Sequence, residues 1–157
     1  MTASAQDVRA VLDTVPDPEM PPVTVGDLGM VVDVAVDGAD VAVALVPTYS
    51  GCPATAVIRE DVVRAVGALD GVEHVDVRFV RDVVWDPERI TPAGREKLRA
   101  FGIAPPGSGQ TLLQIGGVTC PLCGSRDTVA DSPFGPTPCR GTHYCRVCRN
   151  PFEAIKA

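Results

Sequence analysis

Six cysteines carry most of the chemistry that this 157-residue sequence can offer, and five of them fall in its last 38 residues. Cys120-Pro121-Leu122-Cys123-Gly124 is followed by Cys145-Arg146-Val147-Cys148. Two such pairs can place four thiolates at the corners of a tetrahedron, the arrangement that Zn²⁺ takes in closed structural sites. So short a segment has too little core to fold without a staple, which calls for a metal; a structural zinc ribbon is the leading reading, ahead of an iron site of rubredoxin type with the same ligands and of a redox dithiol. Cys139 stands outside both pairs and reads as a small buried residue or free thiol in preference to a ligand. His143 lies beside Cys145, but four thiolates already satisfy the metal, so it reads as a surface or turn residue.

Cys52 is the sixth, in Thr48-Tyr49-Ser50-Gly51-Cys52-Pro53-Ala54. It follows a strand pattern and precedes a helical one, a position where the helix dipole and unpaired N–H groups favour a thiolate, so a lowered pKa is expected. The alternative is an ordinary core cysteine. Asp17-Pro18-Glu19 and Asp27-Leu28-Gly29-Met30 belong to a proline-rich loop whose carboxylates are either solvated charges or caps. Trp85, the sole tryptophan, reads as core or as the wall of a groove near Cys52.

The elements that must position these groups divide into two blocks. Residues 1–111 carry 9 basic and 17 acidic side chains, whereas 112–157 carry 5 and 3. The net +2 of the second block offsets the −2 of four thiolates around one Zn²⁺. Arg140, Arg146, Arg149 and Lys156 raise a nucleic-acid reading, but the acidic first block would repel phosphate, so no nucleic-acid partner is expected. The longest aliphatic run, residues 41–46, is far short of the roughly 18 residues of a membrane span. No basic stretch followed by an apolar one opens the chain, so a cytoplasmic protein is expected.

In the first block Ser4 and Asp7 form a capping-box pattern ahead of Val8, Val11, Leu12 and Val15. Val32, Val34 and Val36, then Val41, Val43 and Leu45, alternate around Asp37-Gly38-Ala39-Asp40 and predict a β-hairpin. Ile58, Val62, Val66 and Leu69 predict a helix over 54–68, with Pro53 in its first turn. Val75, Val77 and Phe79 predict a third strand. Thr91-Pro92 opens a last helix with Leu98 and Phe101 inward and Gly102 at its end. The stretch 103–110 reads as a linker. The fold class is α/β of the α+β kind: a small sandwich with a mixed or antiparallel sheet, then a zinc-ribbon module with four cysteine ligands. No phosphate loop, GxSxG or HExxH is present.

Asp17-Pro18-Glu19, Asp27-Leu28-Gly29, Thr48 through Pro53 with Cys52, and Trp85 together resemble the domain shared by SufT and related iron–sulfur assembly factors. With Phe134-Gly135, Cys139, the two cysteine pairs and Pro151-Phe152-Glu153 added, nearly the whole chain resembles the PaaD (PaaJ) family of the phenylacetyl-CoA epoxidase system. The resemblance implies a SufT-like domain at 1–104, a linker at 105–111 and a zinc ribbon at 112–157. It implies a non-catalytic accessory role in aerobic phenylacetate catabolism, maturing an iron or iron–sulfur centre in an oxygenase or reductase component. The implied site is Cys52 as a transient iron or cluster ligand, with Asp17, Glu19, Thr48 and Trp85 in support, and Cys120, Cys123, Cys145 and Cys148 as zinc ligands. The alternative is a structural or regulatory component of the oxygenase complex that docks through the ribbon, and homo-oligomers are left open. The segment 136–143 is richer in proline and glycine than the family pattern, which leaves Cys139 without a fixed role.

Overall fold

A computed structural model describes residues 3–107 and 117–156, so positions 108–111 of the expected linker and 112–116 after it lie outside the described residues. By contact the chain divides after Trp85 into two compact units. The sequence expectation draws the division later, between 104 and 112.

In the first unit, α1 (Ala5–Leu12) begins at the expected capping box. Asp7 N–H donates to Ser4 Oγ at 3.2 Å and Ser4 N–H returns a 2.8 Å bond to Asp7 Oδ2. The Ser4 side chain and then its backbone hold the Asp7 carboxyl below its ordinary pKa. Val8 and Leu12 are fully buried. The proline-rich segment is more ordered than a loop: β1 (Pro16–Asp17) and β2 (Met20–Thr24) form a two-stranded antiparallel pair. Asp17 makes that possible, because its Oδ1 accepts from Glu19 N–H at 2.8 Å and Met20 N–H at 3.0 Å and so closes the turn. Prolines are tolerated in such a pair because each strand has an unpaired edge.

β3 (Val31–Asp37) and β4 (Asp40–Leu45) form the expected hairpin, with Gly38 at φ 62° in the turn. β5 (His74–Phe79) then pairs parallel to β4, so the three-stranded sheet is mixed with β4 at its centre. A parallel pair needs a crossover, and α2 (Thr55–Gly67) supplies it. Its Ile58, Val62 and Val66 are fully buried; α2 packs on β5, and α1 packs on β3 and α2. The result is the expected two-layer sandwich.

The second unit opens with a 3₁₀ turn at Pro87–Arg89 and α3 (Pro92–Ala100), whose N-cap Thr91 Oγ1 accepts from Gly94 N–H at 2.9 Å. Leu98 is buried as expected, but Phe101 is about half exposed, because it caps the helix instead of extending its apolar stripe. Ile103 and Ala104, expected to open the linker, are instead β6, buried and paired parallel to β9 (Pro151–Ile155). The four-stranded sheet runs β6-β9-β8-β7, with β7 at Thr128–Ser132 and β8 at Arg140–Cys145. Residues 140–143, read from sequence as part of a proline- and glycine-rich loop, thus occupy a central strand. Among the described residues no helix is long and apolar enough to cross a membrane.

The turn between β2 and β3 is held by a reciprocal pair: Thr24 N–H donates to Asp27 Oδ2, and Asp27 N–H to Thr24 Oγ1, each at 3.0 Å. It presents the Leu28 carbonyl to the Trp85 indole N–H, 2.8 Å away and buried. Asp27→Ala is expected to cost about 1–2 kcal/mol. A lower urea midpoint accompanied by red-shifted Trp85 emission would bear this out; an unchanged midpoint would contradict it.

Candidate metal centre and thiol site

Each cysteine pair in the ribbon is shaped by the same backbone device. Gly124 N–H donates to the Cys120 carbonyl at 2.9 Å, while Cys120 N–H donates to the Ser125 carbonyl at 2.8 Å. In the second pair Arg149 N–H reaches the Cys145 carbonyl at 2.9 Å and Cys145 N–H the Asn150 carbonyl at 3.0 Å. The residue after each second cysteine turns left-handed, Gly124 at φ 76° and Arg149 at φ 60°. Two equivalent hooks therefore point four sulfur atoms at one centre, all within 4.8 Å of one another. Cys120 and Cys148 Sγ stand 3.8 Å apart, and Cys123 and Cys145 Sγ 3.5 Å. Sulfur atoms bound at about 2.3 Å to one tetrahedral ion stand about 3.8 Å apart, so the four residues fit a metal ion without rearrangement.

Thiols this close titrate apart. Hydrogen bonds from the Asn150 side chain, with its backbone and two neighbouring sulfurs adding to them, bring Cys148 down to about 7. Cys123 receives a Ser125 backbone bond that favours its thiolate, yet burial and the other three sulfurs outweigh it and push it up to about 11. Metal entry below that pH therefore expels protons, and affinity falls as pH falls.

Cys139 lies outside this group. It is buried, with Sγ 3.1 Å from Thr137 Oγ1, which also accepts from Arg140 Nε at 2.9 Å. Arg140 is itself buried and pairs with Glu153 at 2.6 Å. Of the basic residues that raised a nucleic-acid reading, Arg140 is thus committed internally. His143 is neither at a turn nor fully on the surface: it sits on β8, stacks on Phe152 at 5.5 Å, and burial lowers its pKa.

Cys52 is half-buried in the bend between β4 and α2. The helix begins at Thr55, one residue later than the expected 54: Ala54 is the N-cap, Pro53 lies before the helix and not in its first turn, and no side chain caps the end. Cys52 therefore stands before the helix, its carbonyl 3.3 Å from the Thr55 hydroxyl that donates to it. Beside it a cavity of about 810 Å³ includes both Thr48 and Trp85 in its walls, and Tyr49, Ser50 and Thr55 from the Cys52 segment, although Cys52 itself is not a lining residue. Trp85 is thus core and groove wall at once. Asp17 and Glu19 are not among the lining residues; Asp17 is the turn-former described above. Sequence reasoning passed over Arg59 and Arg81, which also line the cavity. Their only signal is position, one turn into α2 and two residues past β5.

Comparisons with known proteins converge on both units. The family described as PaaD zinc beta ribbon domain matches residues 104–156, and that described as iron-sulfur cluster assembly protein matches residues 5–77. A protein of Escherichia coli (strain K12), provisionally named as one of the subunits of 1,2-phenylacetyl-CoA epoxidase, is 38% identical over 96% of this chain and 91% of its own. An iron-sulfur cluster carrier protein of Synechocystis is 44% identical over 69% of this chain, which spans 31% of that protein. Among solved structures, a domain of unknown function from Bacillus anthracis superposes with a TM-score of 0.57 at 28% identity, over 60% of this chain and 90% of that one. A conserved hypothetical protein from Thermotoga maritima gives 0.54 at 34% identity, over 62% and 95%.

The two hooks make a backbone test available. A Cβ on Gly124 would meet nothing within 4 Å, so Gly124→Ala carries only the left-handed penalty, about 1–2 kcal/mol. Arg149→Gly relieves the corresponding strain in the other hook. Thermal unfolding of the metal-loaded protein is expected to show a lower Tm for the first and an equal or higher Tm for the second; the reverse order would refute the equivalence of the hooks.

Proposed function

The chain belongs to the PaaD family of phenylacetyl-CoA epoxidase components, and from that membership we propose that it serves such an epoxidase system as a non-catalytic accessory factor that loads or repairs an iron or iron–sulfur centre. Cys52 is the residue assigned to that work, and the kinship carries the reading: residues 5–77 match the iron-sulfur cluster assembly family, and the chain is 38% identical over 96% of its length to the epoxidase-subunit relative. Among the described residues, the only group of three or more metal-ligating side chains that converge is the ribbon's set of four cysteines, to which Cys52 does not belong. Iron–sulfur clusters take four protein ligands, so a cluster at Cys52 completes its coordination from another polypeptide. Ligands supplied from outside are the condition for handing a cluster on. The other polypeptide is an oxygenase or reductase component of the system, or a second copy of this chain. The names of the assembly family and of the Synechocystis carrier support the same chemistry.

The ribbon has a different task. Its four thiolates take Zn²⁺ as a structural ion, closed to incoming ligands. Leu122 and Val147, one from each hook, are 56% and 62% exposed and make an apolar pair of tips suited to docking a partner protein. That pair also favours a second reading, in which the chain is a standing structural or regulatory component held through the ribbon. Co-purification at fixed stoichiometry would select it.

Cys52→Ser separates the two. The variant is expected to keep about one metal ion per chain in the ribbon, while the iron content and activity of the partner oxygenase system in cells fall severalfold. Full iron content and activity with Cys52→Ser would remove the thiol from the function.

A further inference from the structure

The 810 Å³ cavity beside Cys52 has a composition that its surroundings do not explain. Residues 1–85 carry 14 carboxylates against 5 arginines and no lysine. Two of those five arginines, Arg59 and Arg81, line this one cavity, and no carboxylate does. Thr48, Ser50 and Thr55 add hydroxyls to the same wall. In a unit with nearly three acidic groups for every basic one, such segregation concentrates positive potential at one concave place. The walls around it suit a small molecule, since their volume falls within the range of about 300–1,000 Å³ typical of such sites.

Topology gives the same location a reason. β4 and β5 are the parallel pair of the sheet, and they end level, Leu45 opposite Phe79. The segments that leave their carboxyl ends, 46–50 and 80–85, form most of the cavity wall. The crevice outside the carboxyl ends of parallel strands is where open α/β sheets bind ligands, because the outgoing loops diverge there. A guanidinium offers a planar fork of donors that matches carboxylate or phosphate oxygens, and hydroxyls complete the shell.

We propose that this cavity binds a small anionic molecule bearing phosphate or carboxylate groups, held by Arg59 and Arg81. The site lies beside the segment that carries Cys52 but needs nothing from the thiol, so it goes beyond the maturation reading and does not depend on it.

Trp85, the only tryptophan of the chain, lines the cavity and reports on its occupant. The full-length, metal-loaded protein is titrated at low ionic strength with pyrophosphate and, separately, with citrate, following Trp85 emission. A saturable change with at least one of them is expected, weakened at least about tenfold by Arg59→Gln and by Arg81→Gln. Both arginines are exposed, so the variants are expected to fold, and matching circular dichroism and unliganded emission confirm it. Arg64→Gln, on the same helix but paired with Asp61 outside the cavity, should bind as the unmodified protein does. Cys52→Ser should bind equally well, so loss of the thiol's proposed role leaves this result standing. A phosphate-selective response identifies a phosphorylated ligand, and a citrate-selective one a polycarboxylate. The proposal is overturned if neither anion gives a saturable change up to about 10 mM, if chloride at matched ionic strength gives the same change, or if the arginine variants respond as the unmodified protein does.

Discussion

Four sulfur atoms held within 4.8 Å of one another are the constraint on which the C-terminal sheet depends. Among the described residues one buried cluster at that sheet comprises Ala104, Cys120, Cys145, Phe152 and Ala154, with Val118 and Cys148 packed against it. Three of those seven side chains therefore belong to the group that could hold a metal ion. Two alanines, a valine and one phenylalanine make a small cluster even with Ile103 and Ile155 buried in the same sheet, so an ion held by the four thiolates would tie together strands that burial holds weakly. The net +2 of residues 112–157 belongs to this logic, since a four-thiolate site around a divalent ion leaves a charge of −2 to be balanced.

The N-terminal unit solves a different problem. It has an ordinary core, with Val8, Leu12, Ile58, Val62 and Val66 fully buried between two helices and a sheet, and the four-cysteine group found among the described residues lies outside it. Its special features lie where the hairpin's second strand becomes the first strand of a parallel pair. A parallel partner for β4 forces the chain out through residues 46–54, across α2 and back into β5. That excursion creates the concave ground beside Cys52 and brings Trp85 over it. The indole is fixed there by the Leu28 carbonyl, so a turn far away in sequence shapes one wall of the cavity.

How much of this was legible in the sequence follows from how local each signal is. The capping box, the hairpin, α2 and the paired cysteines are written in residues a few positions apart, and each forms as expected. Signals that depend on distant partners were not legible. Ile103-Ala104 looks like the start of a linker because two small apolar residues before Pro105-Pro106 have no period; they become a strand only because β9 offers a free edge. The β1–β2 pair was hidden by its prolines, and spacing alone left the Asp17 side chain that closes its turn open between a solvated charge and a cap. Arg140, grouped in the sequence with the basic residues that raised a nucleic-acid reading, is buried and paired with Glu153 on the neighbouring strand. Arg59 and Arg81 are 22 positions apart and meet only through the crossover, so no spacing rule could have joined them.

The separation of the two thiol sites is itself an argument about metal transfer. A closed tetrahedron of four thiolates has no vacant coordination position, and its ligands are spread over two backbone hooks that are already preorganised. Release from it would mean dismantling the core it holds. A metal that must move on needs the opposite: few ligands from the donor, a half-buried thiol, and a place for the recipient to supply the rest. Cys52 meets those conditions on the proposed reading; the ribbon cysteines, although Cys148 is also half-buried, sit in a complete set of four and do not. On the proposed reading, the chain therefore places the ion that must stay and the ion that must leave in different units, so that exchange at one leaves the fold of the other intact.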